Sequence, residues 1–394
     1  MAQIRTYNSI APEGLKILQE RGHTVGPDIS EPDGILVRSA SLLDLEFSPG
    51  LRAIARAGAG VNNVPVDRCT TAGIVVFNTP GSNANSVKEL VVAGLLLSSR
   101  QVLEGCAWTQ QLDRDTVDVP KEVEKGKGAF AGPEILGKRL GVVGLGAIGV
   151  MVANIGVDLG MDVVGFDPYL SVDSAWGLSR SVRRSGNLDS LLAEVDYLTI
   201  HVPLTGDTRH MLNAARLERA KRGMRLLNFS RGELVDEQAV LAALQDGTLF
   251  RYVTDFPTAA LLGNPGVIAI PHLGASTPEA ETNSAIMAAR ELADYLEEGN
   301  IRKSVNFPEC VMDRNGGDRI VLTNRNIPNM VGQITTILAE NSINISDMLN
   351  RHRNDLAYNI IDVDGTIPPA VVDRLRGIDG VVMVRVIPAG GGAP

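Results

Sequence analysis

The sequence contains few of the residues from which disulfide frameworks, metal sites and membrane spans are built. Its three cysteines, Cys69, Cys106 and Cys310, are odd in number, far apart and outside any CxxC motif. This spacing predicts neither a disulfide framework nor a metal site, and it is typical of a reduced, cytoplasmic protein. The N-terminus lacks the apolar core of a signal peptide. The longest aliphatic run, Leu90–Leu97, is far too short to span a membrane, so we expect no membrane partner.

Aromatic residues and positive charge are also scarce. Aromatic residues make up 4% of the 394 residues, and the formal net charge at pH 7 is -9. An acidic chain is repelled by phosphate backbones, so we expect no nucleic-acid partner. The high aliphatic content suits helices packed on a parallel sheet. At roughly 100–200 residues per domain, the length predicts two or three domains.

A glycine-rich turn between a strand and a helix is the most informative motif. The apolar stretch Arg139–Val143 precedes Gly144-x-Gly146-x-x-Gly149, and an apolar helix start follows. The first glycine allows a tight turn, the second lets the backbone approach a pyrophosphate, and the third lets the helix pack closely on the strand. The free N–H groups at the helix N-terminus then favour the anion. The pattern predicts a dinucleotide-binding domain.

An acidic residue at the end of the next predicted strand completes this pattern. Asp167 follows the apolar stretch Asp162–Phe166 and lies 18 residues after Gly149. A carboxylate there accepts hydrogen bonds from the adenosine ribose and repels a 2′-phosphate, which favours NAD over NADP. No arginine follows directly, since the next residues are Pro168 and Tyr169.

Polar side chains follow several other predicted strands, where ligands of open α/β sheets bind. In the first 89 residues these are Arg38, Ser39, Arg56, Asn83 and Asn85, which suit an anionic substrate or serve as ordinary capping and surface residues. In the nucleotide-binding part they are Arg231 and His272. A histidine can take the hydroxyl proton when an alcohol is oxidised, and an arginine can hold a carboxylate.

The C-terminal part has a different composition. Asn315–Gly317 and its surroundings read as a linker, and residues 319–387 predict the order βαββαβ, which is typical of a ferredoxin-like unit. Residues 105–137 are polar and are expected to form a surface loop.

Four motifs in one order carry a family resemblance. Arg56–Asn63, Gly144–Gly149, Asn228–Glu237 and Pro271–Thr277 resemble the D-isomer-specific 2-hydroxyacid dehydrogenases over nearly the whole chain. The βαββαβ unit resembles an ACT domain. The resemblance implies a Rossmann NAD domain (90–275) inserted in a flavodoxin-like substrate domain (1–89 and 276–304), then a linker (305–318) and an ACT regulatory domain (319–394). Catalysis would lie in the cleft between the first two domains.

The same resemblance implies the roles of individual residues. Arg231 holds the substrate carboxylate and carbonyl, and His272 is the acid/base. The positions that match NAD contacts, together with the glycine motif, are Thr79, Gly144, Gly146, Ala147, Ile148, Gly149, Asp167, Val202, Phe229, Ser230 and Asp255. The substrate's anionic ends fall to Arg38, Ser39, Arg56, Ala59, Gly60 and Val61. Asn324, Asn326 and Asn344 match positions that bind an L-serine effector in feedback-inhibited relatives, although a histidine is common at the first.

The implied reaction is the NAD-dependent oxidation of 3-phosphoglycerate, the first step of serine biosynthesis, by a homodimer or homotetramer. A dehydrogenase of another D-2-hydroxy acid and a non-catalytic NAD-sensing, partner-binding protein are the alternatives.

The sequence departs from the family pattern beside the catalytic histidine. The glutamate that normally orients the catalytic histidine would fall on Ala260, and residues 256–271 contain no acid. Another carboxylate, such as Glu89, Asp255 or Glu279, then serves His272, or the histidine works without one.

Overall fold

The computed structural model describes residues 1–390, which form two units, Met1–Ser82 with the chain from Glu281 onward, and Asn83–Ala280. The last four residues of the expected ACT domain lie outside the described range. No single helix of the described chain is long and apolar enough to cross a membrane. The helices Ala84–Ser99 and Val102–Gln110 are long and apolar enough only when taken together, and they are bent by 71° where they meet.

The first unit begins with a five-stranded parallel sheet. Its strands are Gln3–Tyr7 (β1), Thr24–Gly26 (β2), Gly34–Val37 (β3), Ala53–Arg56 (β4) and Val75–Phe77 (β5), and its helices are Pro12–Glu20 (α1) and Val66–Thr71 (α2). The spatial order β2-β1-β3-β4-β5 is the flavodoxin-like order that the family resemblance implies. Strands β3 to β5 consist almost entirely of buried residues, as expected for a sheet covered on both faces.

The second unit contains a seven-stranded parallel sheet in the order β12-β11-β10-β9-β6-β7-β8. The strands are Arg139–Val143 (β6), Asp162–Phe166 (β7), Arg183–Arg184 (β8), Tyr197–Ile200 (β9), Met224–Asn228 (β10), Leu249–Thr254 (β11) and Val267–Ala269 (β12). The helices are Ala84–Ser99 (α3), Val102–Gln110 (α4), Val119–Gly126 (α5), Ala147–Asp158 (α6), Val172–Gly177 (α7), Leu188–Glu194 (α8), Ala214–Leu217 (α9) and Glu237–Asp246 (α10). Helices α3 and α6 pack together on this sheet and bury Val91, Leu95 and Val152. This is a Rossmann-type fold.

The expectation of a loop over residues 105–137 is wrong. Helices α4 and α5 and the 3-10 turn Lys127–Phe130 occupy most of this range. Asp118 caps α5 by accepting the backbone N–H of Lys121, and a proline lies in the first turn. Within the described chain neither helix buries a residue, so the hydrophobic pattern that reveals core helices is weak here. The capping signal alone could have revealed α5.

A long helix leads to the C-terminal part of the first unit. Helix α11 (Pro278–Glu298) is followed by Arg319–Arg325 (β13), Met330–Glu340 (α12), Ile345–Arg353 (β14), Leu356–Val363 (β15), Pro369–Arg376 (α13) and Val381–Ile387 (β16). The four strands form an antiparallel sheet in the order β14-β15-β13-β16, which is the ferredoxin-like arrangement of a βαββαβ unit.

Side chains of this antiparallel sheet bond the carbonyl oxygens at the end of α11. Arg385 donates to Tyr295 (2.7 Å) and Leu296 (3.1 Å), and the Tyr358 hydroxyl donates to Gly299 (2.7 Å). Arg319 donates to the Glu298 carbonyl oxygen at 3.0 Å and forms an ion pair with Asp362, with side-chain exposures of 0% and 1%. The last turn of α11 contains no basic residue of its own. The helix end is therefore capped by the sheet.

Candidate active site

The glycine turn between β6 and α6 has a shape that only glycine permits. Gly144 has a φ of 85°, and a Cβ there would lie 2.5 Å from the carbonyl oxygen of His201. A Cβ on Gly149 would lie 1.8 Å from the carbonyl oxygen of Gly144. A Cβ on Gly146 meets no atom within 4 Å, so this side of the turn is open. No side chain caps α6, and its first N–H groups remain available to a pyrophosphate. Ala147 and Ile148 are the first two residues of this helix.

Asp167 lies where the sequence predicts, at the end of β7. Its Oδ2 accepts the backbone N–H of Leu145 and its Oδ1 accepts that of Tyr169, both at 2.8 Å. These bonds fix the carboxylate and leave lone pairs for the hydroxyls of a ribose. A cavity of about 330 Å³ adjoins it, lined by Leu145, Gly165, Asp167, Pro168, Leu170, Leu178, Val182, Arg183 and Arg184. The open turn, the uncapped helix and this cavity fit a dinucleotide.

His201 is a structural residue and not an acid/base group. Its ring is buried, and Nε2 lies 2.9 Å from the Thr199 hydroxyl. Burial lowers the pKa of His201 to about 3, so the ring is neutral at physiological pH. The backbone of His201 and the side chain of Val202 lie against the glycine turn. The histidine that can exchange protons in this unit must therefore lie elsewhere.

Arg231 follows β10 in a turn that a buried asparagine holds. The Asn228 side chain donates to the Arg231 carbonyl oxygen at 2.8 Å and accepts the Ser230 N–H at 3.2 Å. The Ser230 hydroxyl donates to the carbonyl oxygen of Ile200 at 2.7 Å, which ties the ends of β10 and β9 together. Phe229, which lies between Asn228 and Ser230 in the chain, is buried in the apolar core of this unit. Sequence reasoning did not assign Asn228 a role, although the residue lies in the quoted motif.

His272 lies in the loop after β12, with its side chain 57% exposed. Nδ1 is 3.8 Å from Oδ2 of Asp255, and the ring meets that of Phe256 edge-on at a centroid distance of 4.7 Å. The loop is anchored to α3, because the Ser86 hydroxyl donates to the carbonyl oxygen of Gly274 at 2.8 Å. Sequence reasoning missed both Phe256 and Ser86.

Asp255 is a buried carboxylate beside the predicted catalytic histidine. Burial raises the pKa of Asp255 above the ordinary aspartate value. The positive charge of His272, nearby backbone N–H groups and the positive charge of Arg231 oppose this rise. His272 thus lies within ion-pair distance of this carboxylate, and Arg231 contributes a weaker positive charge. A cavity of about 610 Å³ adjoins the group, and its lining includes Gly232, Tyr252, Asp255, Phe256 and His272.

The residues predicted to bind the substrate's anionic ends lie in the first unit. The Arg56 Nε donates to the carbonyl oxygen of Arg38 at 3.1 Å, and the Arg56 guanidinium covers Gly58, whose φ is 153°. Arg38 forms an ion pair with Glu281, a partner that sequence reasoning missed. The other residues predicted to bind the substrate are near this turn: the Ser39 N–H donates to Asn8, Ala59 accepts a hydrogen bond from Asn78, and Gly60 and Val61 follow in the chain. Thr79, which is predicted to contact NAD, also lies in this unit, and its N–H donates to the Gly58 carbonyl oxygen.

The three asparagines predicted to bind a regulatory amino acid do not meet within one chain. Asn324 is 1% exposed, donates to the Arg325 carbonyl oxygen and accepts from Asn359. Asn326 donates to the carbonyl oxygen of Asn354. Asn324 pairs with Ala357 at the start of β15, whereas Asn344 donates to Asp364, just beyond the end of that strand. At ~3.3 Å per strand residue, the two asparagines are roughly 20 Å apart. No cluster of His, Cys, Asp and Glu suited to a metal occurs among residues 1–390.

Comparison with known proteins identifies the family. Residues 95–274 match the family model described as D-isomer specific 2-hydroxyacid dehydrogenase, NAD binding domain. The chain is 32% identical over 358 residues to the D-3-phosphoglycerate dehydrogenase of Haemophilus influenzae, covering 87% of this chain and 83% of the relative. The chain belongs to the D-isomer-specific 2-hydroxyacid dehydrogenase family.

Two further matches show how far the likeness extends. The D-3-phosphoglycerate dehydrogenase of Mycobacterium leprae is 36% identical over 304 residues, but the chain spans 55% of that longer relative. The NAD+-bound 3-phosphoglycerate dehydrogenase of Entamoeba histolytica superposes with a TM-score of 0.59 at 24% identity, covering 77% of this chain and 98% of that one. This second likeness shows the shared fold. Within the dehydrogenase, the segment 95–274 that contains the glycine turn is thus the family's NAD-binding domain.

Proposed function

We propose that this dehydrogenase oxidises D-3-phosphoglycerate to 3-phosphooxypyruvate with NAD, the reaction that opens serine biosynthesis. The observation that carries the proposal is the grouping of His272, Arg231 and Asp255 in the same unit as the open glycine turn. Relatives named D-3-phosphoglycerate dehydrogenase, among them the one from Haemophilus influenzae, support this choice of substrate.

The roles of the residues follow from their chemistry. NAD, when bound, accepts a hydride from C2 of the substrate. Arg231 holds the carboxylate through its fixed fork of N–H donors and polarises the neighbouring C–O bond. His272 takes the hydroxyl proton on Nε2, the ring nitrogen that points away from Asp255. Asn228 holds the turn that presents Arg231.

The phosphate end of the substrate is assigned to the first unit. Arg38 and Arg56 supply two guanidinium groups, and the turn at Ala59–Val61 supplies backbone N–H groups that suit an anion. The single carboxylate of a monoanionic hydroxy acid such as lactate is held by Arg231, so lactate brings no second anionic group to Arg38 and Arg56. This pattern supports a phosphorylated substrate over a small monoanion.

The domain assignment forms part of the same proposal. Residues 1–89 and 276–304 form the substrate-binding domain, 90–275 the NAD-binding domain, 305–318 the linker and 319–394 an ACT regulatory domain. The βαββαβ order and the sheet order β14-β15-β13-β16 support the last assignment. We further assign the protein to the cytoplasm as a homodimer or homotetramer. Because Asn324 and Asn344 lie at opposite ends of the sheet, an L-serine site that used both asparagines would need contributions from more than one chain.

Initial rates of NADH formation at 340 nm test the reaction. We expect a much higher kcat/KM for D-3-phosphoglycerate than for D-glycerate or D-lactate. The H272Q variant should lose at least 100-fold in kcat, because general acid–base catalysis contributes roughly 10²–10⁴-fold. The H352Q variant, altered at an exposed residue of β14, serves as the matched control. A folded, NAD-binding protein that oxidises none of the three acids would favour the partner-binding alternative.

A further inference from the structure

Asp255 is a buried carboxylate that lacks the usual compensation. It follows β11, is 1% exposed, and neither of its oxygens accepts a well-formed hydrogen bond from the described residues. An unpaired buried charge is costly and needs a nearby cation. The imidazole of His272 lies 3.8 Å away, within ion-pair distance.

The other carboxylates considered for His272 have different surroundings. Glu89 is exposed on α3 and accepts a hydrogen bond from Asn85 at 2.8 Å. Glu279 is exposed in the first turn of α11. Ala260, which matches the family's glutamate position, belongs to a segment that lines the cavity beside His272 with neutral residues such as Pro257, Thr258 and Leu261. Of the candidate carboxylates, Asp255 is the one within ion-pair distance of the ring.

The surroundings of His272 leave one ring nitrogen for the substrate. Phe256 contacts the ring edge-on, with an interplanar angle of 78°, and restricts its rotation. Nδ1 faces Asp255, and the ring as a whole is 57% exposed. A proton on Nδ1 directed at the carboxylate leaves the Nε2 lone pair free to act as a base.

We propose that Asp255 is the positioning residue for His272 and replaces the carboxylate that the family places at position 260. Its negative charge stabilises the imidazolium that forms when Nε2 takes the substrate hydroxyl proton. It also holds the tautomer that keeps Nε2 unprotonated beforehand. The catalytic part of this inference rests on the proposed dehydrogenase reaction, whereas the pairing of the two side chains does not.

The other groups facing Asp255 are compatible with this role. Arg231 is the second cation that acts on the carboxylate. Tyr252, on β11, lines the same cavity as Asp255. Burial raises the pKa of the Tyr252 phenol, so its hydroxyl is neutral at physiological pH. The cavity lining also includes His210 and the acidic residues Glu233, Asp236 and Glu237, of which Glu237 accepts a hydrogen bond from Thr258. Among the described residues, Asp255 is the carboxylate within ion-pair distance of His272, so its charge acts most directly on the imidazolium.

An NMR titration tests the pairing without any substrate. The chain has five histidines, and the H272Q variant identifies the His272 ring signal by its loss. In D255N, which keeps the side-chain shape and removes the charge, we expect the protonation midpoint of His272 to fall by about one pH unit, the size expected for charges ~4 Å apart at a partly exposed site. The E279Q control should leave the midpoint unchanged. If the His272 midpoint in D255N stays within about 0.3 pH unit of the wild-type value, the pairing is wrong.

Kinetics then test the catalytic role. Because oxidation needs neutral His272 and reduction needs the protonated form, D255N should shift both pH limbs downward. The kcat for oxidation should fall at least tenfold, and D255E should restore part of the loss. If D255N weakens NAD binding and leaves both limbs in place, Asp255 is a cofactor contact and the proposal is wrong. If the His272 midpoint shifts but wild type does not oxidise D-3-phosphoglycerate, the proposed function fails and the pairing stands.

Discussion

Glu291 provides a pH-dependent test of how the first unit is stabilised. It lies on the inner face of α11, is 8% exposed, and its Oε2 has no hydrogen-bond partner among the described residues. Burial raises the pKa of Glu291 to about 8 from 4.5; Lys303 opposes the rise and Asp294 adds to it. The folded chain therefore keeps this carboxyl protonated at neutral pH, whereas the unfolded chain releases the proton.

The sign of the effect follows from this difference. Between pH 4.5 and 8 the folded state binds the extra proton, so the free energy of unfolding falls as the pH rises. Each pH unit in this window contributes about 1.4 kcal/mol, or about 5 kcal/mol over the whole window as an upper bound. Replacing Glu291 by glutamine keeps the shape and removes the titrating group. The advantage of E291Q over wild type should therefore grow by about 2–3 kcal/mol from pH 6 to pH 8.

Thermal unfolding followed by circular dichroism at pH 6, 7 and 8 measures this advantage. In a unit of about 200 residues, 2–3 kcal/mol corresponds to a Tm difference of roughly 5–10 °C. The E309Q variant, altered at an exposed loop residue of the same unit, makes the same chemical change and should alter Tm by little at each pH. A constant difference between E291Q and wild type across this range would show that Glu291 is ionised in the folded state and refute the reasoning.

Four further substitutions test the rest of the structure. G146A should keep the wild-type Tm but weaken NADH binding at least tenfold in a fluorescence titration, because the added methyl enters the space left for the pyrophosphate. G149A should weaken binding and also lower Tm, because its methyl would collide with the Gly144 carbonyl oxygen. N228A should lower kcat/KM for the hydroxy acid and destabilise the protein by about 1–3 kcal/mol in urea unfolding, because it releases the turn that carries the active-site arginine. R319M should cost about 3–5 kcal/mol, because Asp362 is then left buried without its partner; an unchanged urea midpoint would contradict this assignment.

The features that the sequence predicted well are those determined locally. The turn Gly144–Gly149 is recognisable from its glycine spacing and Asp167 from its place at a strand end, and both lie in the structure where the sequence predicts them. The chain order βαββαβ of the C-terminal unit also agrees with prediction, because the alternation of apolar strands and helices is visible in the sequence. The flavodoxin-like order of the first sheet agrees with what the family resemblance implies.

Features that depend on contacts distant in sequence could not be predicted in this way. Asp255 is one of three candidate carboxylates for His272, and nothing in the spacing across strand β12 shows that it is the one within ion-pair distance. Asn324 is predicted to bind an effector, but its side-chain oxygen accepts a hydrogen bond from Asn359 inside the sheet. Its position on β13 in the sequence gives no sign of this bond. The ion pair of Arg38 with Glu281 joins residues that are 243 positions apart.

The capping of α11 by the antiparallel sheet has a consequence for how the chain can be shortened. A chain that ended soon after Glu298 would leave the carbonyl oxygens of Tyr295, Leu296 and Gly299 without the donors supplied by Arg385 and Tyr358. It would also uncover the apolar side chains of Val321, Ile360 and Ile387, which share one core with the long helix. The C-terminal sheet is thus an integral support of the helix, and a stable truncated protein would need both a new helix terminus and a new polar surface.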